Sequence, residues 1–140
     1  MTREATLMSG IILIAVPGAQ YGGYFLLTAL MDRSSRYMDN PLRQNFFRAG
    51  HAHAAVILLL ALICQILADA AMLPAWLLWF VRIGVPAASI LMGPGFFLSM
   101  PSPDALKPNR LVRLISVGAA TLALSVVILG IGLLRSFAAR

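Results

Sequence analysis

The chain has 140 residues, 60% of them hydrophobic and 11% charged, with a formal net charge of +6. Water-soluble domains carry nearer a quarter charged residues, so the polar surface here is too small to cover a water-facing exterior, and the apolar exterior must meet a lipid bilayer. The basic residues flank apolar runs instead of forming a dense patch, which excludes nucleic acid as a partner and fits anchors at a membrane surface.

Four apolar runs follow one another, over residues 7–31, 46–68, 73–99 and 111–134. Each exceeds the roughly 20 residues that a helix needs to cross about 30 Å of hydrocarbon. Lipid offers no hydrogen bonds to the backbone, so each run is predicted to be helical. The expected fold class is all-α: an integral membrane four-helix bundle of antiparallel up-down topology, in a single transmembrane domain spanning residues 1–140.

The first run begins after Arg3. Pro17-Gly18-Ala19 is a poor small-x-small cleavage site and the run continues to Met31, so it is expected to span the membrane rather than act as a removed leader. Gln20, Tyr24 and Thr28 recur every fourth residue and share one face. Gly18 and Gly22 form a small-xxx-small pair that permits close helix approach. Polar groups within a span are costly and are expected to face the bundle interior, in interhelical hydrogen bonds or in the wall of a ligand or quinone pocket.

The second run carries the richest polar face. Arg48, His51, Leu58, Leu62, Gln65 and Asp69 fall on one stripe. From His51 to Asp69 is about five helical turns, so this face holds a base and a histidine at one end and an amide and a carboxylate at the other. The stripe is predicted to point inward. His53 lies about 200° around the helix from His51, and the two imidazoles cannot chelate one metal ion from a regular helix. His53 shares its face with Cys64, about 16 Å away, which excludes a His–Cys site on this helix alone. As the single cysteine, Cys64 also forms no intramolecular disulfide.

The third run begins beyond a short connection, residues 69–72, so it pairs with the second as a hairpin. Arg82 lies well inside it, on a face with Pro86, Ser89 and Gly93. Gln65 and Asp69 lie at the same depth, and an Asp69–Arg82 ion pair is predicted, with snorkelling of Arg82 to the headgroups as the alternative. The expected inward polar seam is therefore Gln20, Tyr24, Gln65, Asp69 and Arg82. Pro86 and Pro94 are expected to kink this helix. Trp76 and Trp79 suit an interfacial aromatic belt. In the fourth run, Gly118, Thr121, Ser125 and Gly132 make a face of small residues suited to packing.

The first and third connections share one side of the membrane. Arg33, Arg36, Arg43 and Arg48 near the first, with Lys107, Arg110 and Arg113 near the third, outnumber Arg3, Arg135 and Arg140 on the other side. The positive-inside rule places these two connections in the cytoplasm and both termini outside, as in a multi-pass protein of the plasma membrane.

Phosphate loops, zinc-protease helices, nucleophile elbows and dinucleotide fingerprints are absent from the sequence. One string carries a chemical suggestion: Arg48-Ala-Gly-His51-Ala-His53 opening an apolar helix, preceded by the glycine-rich segment Pro17-Gly-Ala-Gln-Tyr-Gly-Gly-Tyr24. It resembles the start of the second spanning helix in haem-copper oxidase subunit I-like proteins. The resemblance covers the first half of the chain. It implies haem b as a cofactor, with His51 as the axial metal ligand and Arg48 meeting a propionate; His53 completes the string. The remaining residues cannot build a copper site, so oxygen reduction is excluded by ligand count. A sixth haem ligand would come from His51 of a second copy or from Met31, Met38 or Met100.

Three functions are open on this reading. The first is a non-catalytic binding or accessory subunit of a membrane complex or homo-oligomer. The second is a haem b-binding redox protein, and the third a small transporter or channel using Arg48, His51, Gln65, Asp69 and Arg82.

Overall fold

The computed structural model describes every residue except Arg33, Ser35 and Arg140. Arg33 and Arg140, both counted above as topology signals, lie outside the described residues. Four long helices account for most of the rest: α1 (Arg3–Met31), α2 (Pro41–Ala68), α3 (Ala75–Ser99) and α4 (Arg113–Ala138), with a single 3-10 turn, Arg110–Val112, leading into α4. All four are long and apolar enough to cross a membrane, as in a multi-pass membrane protein. No strand occurs among the described residues.

α1 and α2 begin ahead of their apolar runs because capping, not hydropathy, sets their starts. Thr2 caps α1, its hydroxyl accepting from the Ala5 amide, with Glu4 in the first turn where the helix dipole favours an acid. Asn40 caps α2 by accepting from the Leu42 and Arg43 amides, and Pro41 follows at the first helical position. Pro74 precedes α3, which starts two residues later than its apolar run. Pro17, Pro86 and Pro94 all lie inside unbroken helices.

Contacts between neighbours fall in a consistent order. Gln65 meets Arg82, Ser89 bonds the Ala54 carbonyl, and Gly50 lies against Phe96, so positions descend along α2 as they ascend along α3. The same order joins α3 to α4, where Gly84 meets Ser125, Met92 meets Gly118 and Gly95 meets Ile115. At one end Thr2 bonds Asp69, and the Met72 amide donates to the Gly132 carbonyl at 2.9 Å. That end therefore gathers the start of α1, the α2–α3 connection and the last turns of α4.

The core lies between α2, α3 and α4, on Ile57, Ala61, Cys64, Val81, Val85, Ala88 and Leu129. In α3, 39% of the spanning window is buried, against 11% in α1, so α1 is a peripheral helix laid on α2. Large apolar side chains such as Ile14, Ile90 and Val127 point outward, as a lipid-facing surface requires.

A second cluster closes the opposite end. Leu26, Met38, Phe47 and Met100 are buried there together. Arg43 is 1% exposed and holds the two connections. Its guanidinium donates to the Tyr37 carbonyl at 2.9 Å and the Pro101 carbonyl at 3.2 Å, and it lies 3.9 Å from the Tyr37 ring centroid. The Asn40 amide nitrogen adds bonds to the Pro103 and Ala105 carbonyls. Arg43, read from sequence as a surface topology signal, is thus an internal clamp.

Candidate functional site

Two polar groupings sit within the helices, and they differ in kind. The first is a closed knot at the end of α2. Arg82 is 4% exposed. It donates to the Asp69 carboxylate at 2.6 Å and to the Gln65 backbone carbonyl at 3.1 Å. The Gln65 amide returns a bond to the Arg82 carbonyl at 3.0 Å. Thr2 donates to Asp69 twice, from its amide and its hydroxyl, each at 2.7 Å.

This is the expected Asp69–Arg82 pair, with Gln65 beside it. Each oxygen of the carboxylate is engaged, so the knot is a fastening of α1 and α3 onto α2. Partial burial pushes the Asp69 carboxyl up, but the Thr2 and Arg82 hydrogen bonds and the Arg82 charge outweigh it and hold the group at about 2. Thr2 escaped the sequence reading. Its signal was the threonine cap before Glu4, which marks a helix start but names no distant partner.

The second grouping centres on His51. Its imidazole lies against the α1 glycines: a Cβ placed on Gly23 would stand 2.8 Å from Cε1 and 3.0 Å from Nε2, and one on Gly22 would stand 3.8 Å from Nδ1. Only glycine at position 23 leaves room for this ring. At this level the α1–α2 contact seats a histidine over a residue with no side chain.

A groove opens on each side of that contact. One, of about 540 Å³, runs between α1, α2 and α3 past Gly18, Gly22, His51, Ser89 and Gly93. The other, of about 380 Å³, lies between α1 and α2 and is lined by Val16, Gln20, Gly23, His51, Leu58 and Leu59. Both walls are mainly apolar. His51 lies about 7.5 Å inside the apolar run that starts at Phe46, counted as helix rise. No hydrogen bond engages either His51 or Gln20 among the described residues.

The other residues selected from sequence are placed as follows. Arg48 is exposed and lines neither groove. The inward stripe of α2 therefore begins at His51, because a guanidinium without a buried acceptor stays at the headgroup level. His53 is on the outer face: its Nδ1 is 2.7 Å from the Ala49 carbonyl, and its ring lies 5.1 Å from that of Phe96. Tyr24, expected on the inward seam, is 64% exposed. Gln20 is exposed too, and reaches the bundle only at the rim of the smaller groove. The cause is Gly22–Gly23, which takes the α2 contact and turns the neighbouring polar stripe aside.

The haem implied by the oxidase resemblance does not fit between His51 and α1. Less than a methyl group's width separates the His51 ring from α1, so a porphyrin cannot lie between them while α1 stays in place. None of the three methionines lines either groove. Met38 and Met100 are buried in the cluster around Phe47 and Met31 points outward. Among the described residues no group of three or more His, Cys, Asp or Glu could hold a metal ion.

No protein-family model, curated protein or solved structure matches this chain.

Proposed function

We propose that this chain is a small multi-pass protein of the plasma membrane that works by binding, as a non-catalytic accessory subunit of a larger membrane complex or homo-oligomer. Its two basic connections face the cytoplasm and both its termini face outward. One observation carries the reading. The interior polar side chains at Asp69, Arg82, Gln65 and Arg43 are engaged in fixing helices and connections, whereas His51 has no hydrogen-bond partner among the described residues and lies beside two apolar grooves.

A transport path needs a continuous run of polar groups. Here Leu58, 8% exposed, interrupts the face between His51 and Gln65, and the groups beyond it are tied into the knot. Binding within the grooves requires no such continuity.

The test is extraction in mild detergent followed by native electrophoresis and mass analysis. The expected result is an assembly well above the 15.1 kDa of one chain, unchanged in His51→Ala. Migration as one chain, or proton or solute flux in liposomes that depends on His51 and Asp69, contradicts the proposal.

A further inference from the structure

The smaller groove brings together two features that stand apart in the sequence. Gln20 comes from α1 and His51 from α2, and both line it. Three residues, about 4.5 Å of helix rise, separate Gln20 from Gly23, the glycine against which the Nε2 edge of His51 rests. The rest of the wall is Val16, Ala19, Ala55, Leu58 and Leu59. An amide and an imidazole thus border one apolar space within spanning helices.

Such groups are costly in hydrocarbon unless something bonds them. Among the described residues neither has a hydrogen-bond partner. Packing along the α3–α4 seam is tight, with Gly84, Gly95 and Gly118 each pressed against a side chain of the facing helix. Around His51 the packing instead leaves volumes of about 380 and 540 Å³. Clefts between helices of roughly 300–1,000 Å³, mostly apolar with a few placed polar groups, are the usual form of a small-molecule site.

We propose that the smaller groove binds the headgroup of a lipid-soluble carbonyl or phenol compound, of the quinone or quinol kind, between His51 and Gln20. The inference rests on the reading of the protein as one that works by binding, and it names the ligand. Both side chains can donate and accept, so they bond a carbonyl oxygen or a hydroxyl equally well. The groove walls take the flat apolar ring. The open mouth of the groove, bordered by the exposed Leu59, lets an apolar tail pass into lipid.

A second copy of the chain docking through Gln20 is the competing occupant, since two glutamine amides can bond each other across a two-fold axis. The concavity of the groove and the presence of His51 in it favour the small molecule.

The experiment is equilibrium binding of a decyl-tailed benzoquinone, and of its reduced quinol, to the full chain in lipid nanodiscs, with protein-free nanodiscs as the partition control. The ¹⁵N signals of the His51 imidazole are followed in the same samples. The expected result is saturable one-to-one binding that shifts the His51 signals. Affinity should fall about ten-fold or more in His51→Ala and in Gln20→Leu, the loss of one hydrogen bond in each case, and stay unchanged in His53→Ala. The inference is overturned by binding no greater than in protein-free discs. It is equally overturned by binding insensitive to both site variants, or by a protein whose only response to Gln20→Leu is a change from dimer to monomer. In each of these failures the native size of the assembly still decides the accessory-subunit reading by itself.

Discussion

Arg82 and Asp69 meet at 2.6 Å across the turn that joins α2 to α3, and Thr2 closes on the same carboxylate from α1. One ion pair therefore fixes the relative depth of three helices. Removing its acid leaves Arg82, which is 4% exposed, bonded only to Gln65 oxygens and the Thr2 hydroxyl. Asp69→Ala should destabilise the folded bundle by about 3 kcal/mol, the usual effect of stranding a buried charge. Replacing both partners, Asp69→Asn with Arg82→Gln, should recover part of that loss. Thermal unfolding of the two variants in detergent checks the order.

The same pair sets an acid limit. The Asp69 carboxyl is held at about 2 in the fold, against about 3.9 in an unfolded chain. A depressed carboxyl contributes stability that is complete above the unfolded value and declines as pH falls through the folded one. The contribution from Asp69 should be intact above about pH 5 and disappear between about pH 4 and 2. Acid unfolding monitored by circular dichroism should show this limb in the wild type and lack it in Asp69→Asn.

Gly84 and Ser125 govern the seam of α3 and α4. A Cβ on Gly84 would stand 2.2 Å from the Ser125 oxygen but 3.5 Å from the Ser125 Cβ. That oxygen is buried and has no hydrogen-bond partner among the described residues. Gly84→Ala should therefore cost about 1–3 kcal/mol by overpacking. Ser125→Ala alone should be neutral or mildly stabilising, and the double variant should return close to wild-type stability. Loss of stability in the double variant equal to that of Gly84→Ala would contradict this packing.

Arg43 ties the first connection to the third through the Tyr37 and Pro101 carbonyls. Arg43→Met keeps much of the apolar volume and removes both bonds. It should loosen the segment after Met100, seen as faster hydrogen exchange there and faster tryptic cleavage after Arg110, since the Lys107–Pro108 bond resists trypsin. The His51 grooves and the Asp69 knot should be unaffected, because they draw on other residues.

The four helices were legible because lipid demands about 20 apolar residues per crossing, a signal that survives almost any local detail. The ends at Met31, Ala68 and Ser99 were legible too, but the starts of α1 and α2 were not, because Thr2 and Asn40 cap them ahead of the apolar runs. The Asp69–Arg82 pair was legible because spacing alone put opposite charges at one depth beside a short turn. The mislaid part of the seam has a plain cause. Periodicity shows that Gln20 and Tyr24 share a face, but it does not show which face meets a neighbour. The glycines beside them took the contact with His51, and the polar stripe was turned outward. Arg43 was misread because a base in a connection is counted as surface, although Asn40-Pro41 ahead of it marks the first turn of a helix.

The central claim is that His51 meets the glycines of α1 and an organic headgroup, and does not ligate iron. The absorption spectrum of the detergent-purified protein from haem-replete cells tests this most directly. The account predicts no Soret band, either as isolated or after haem addition. A Soret band that shifts on reduction, is lost in His51→Ala and persists in His53→Ala would contradict it.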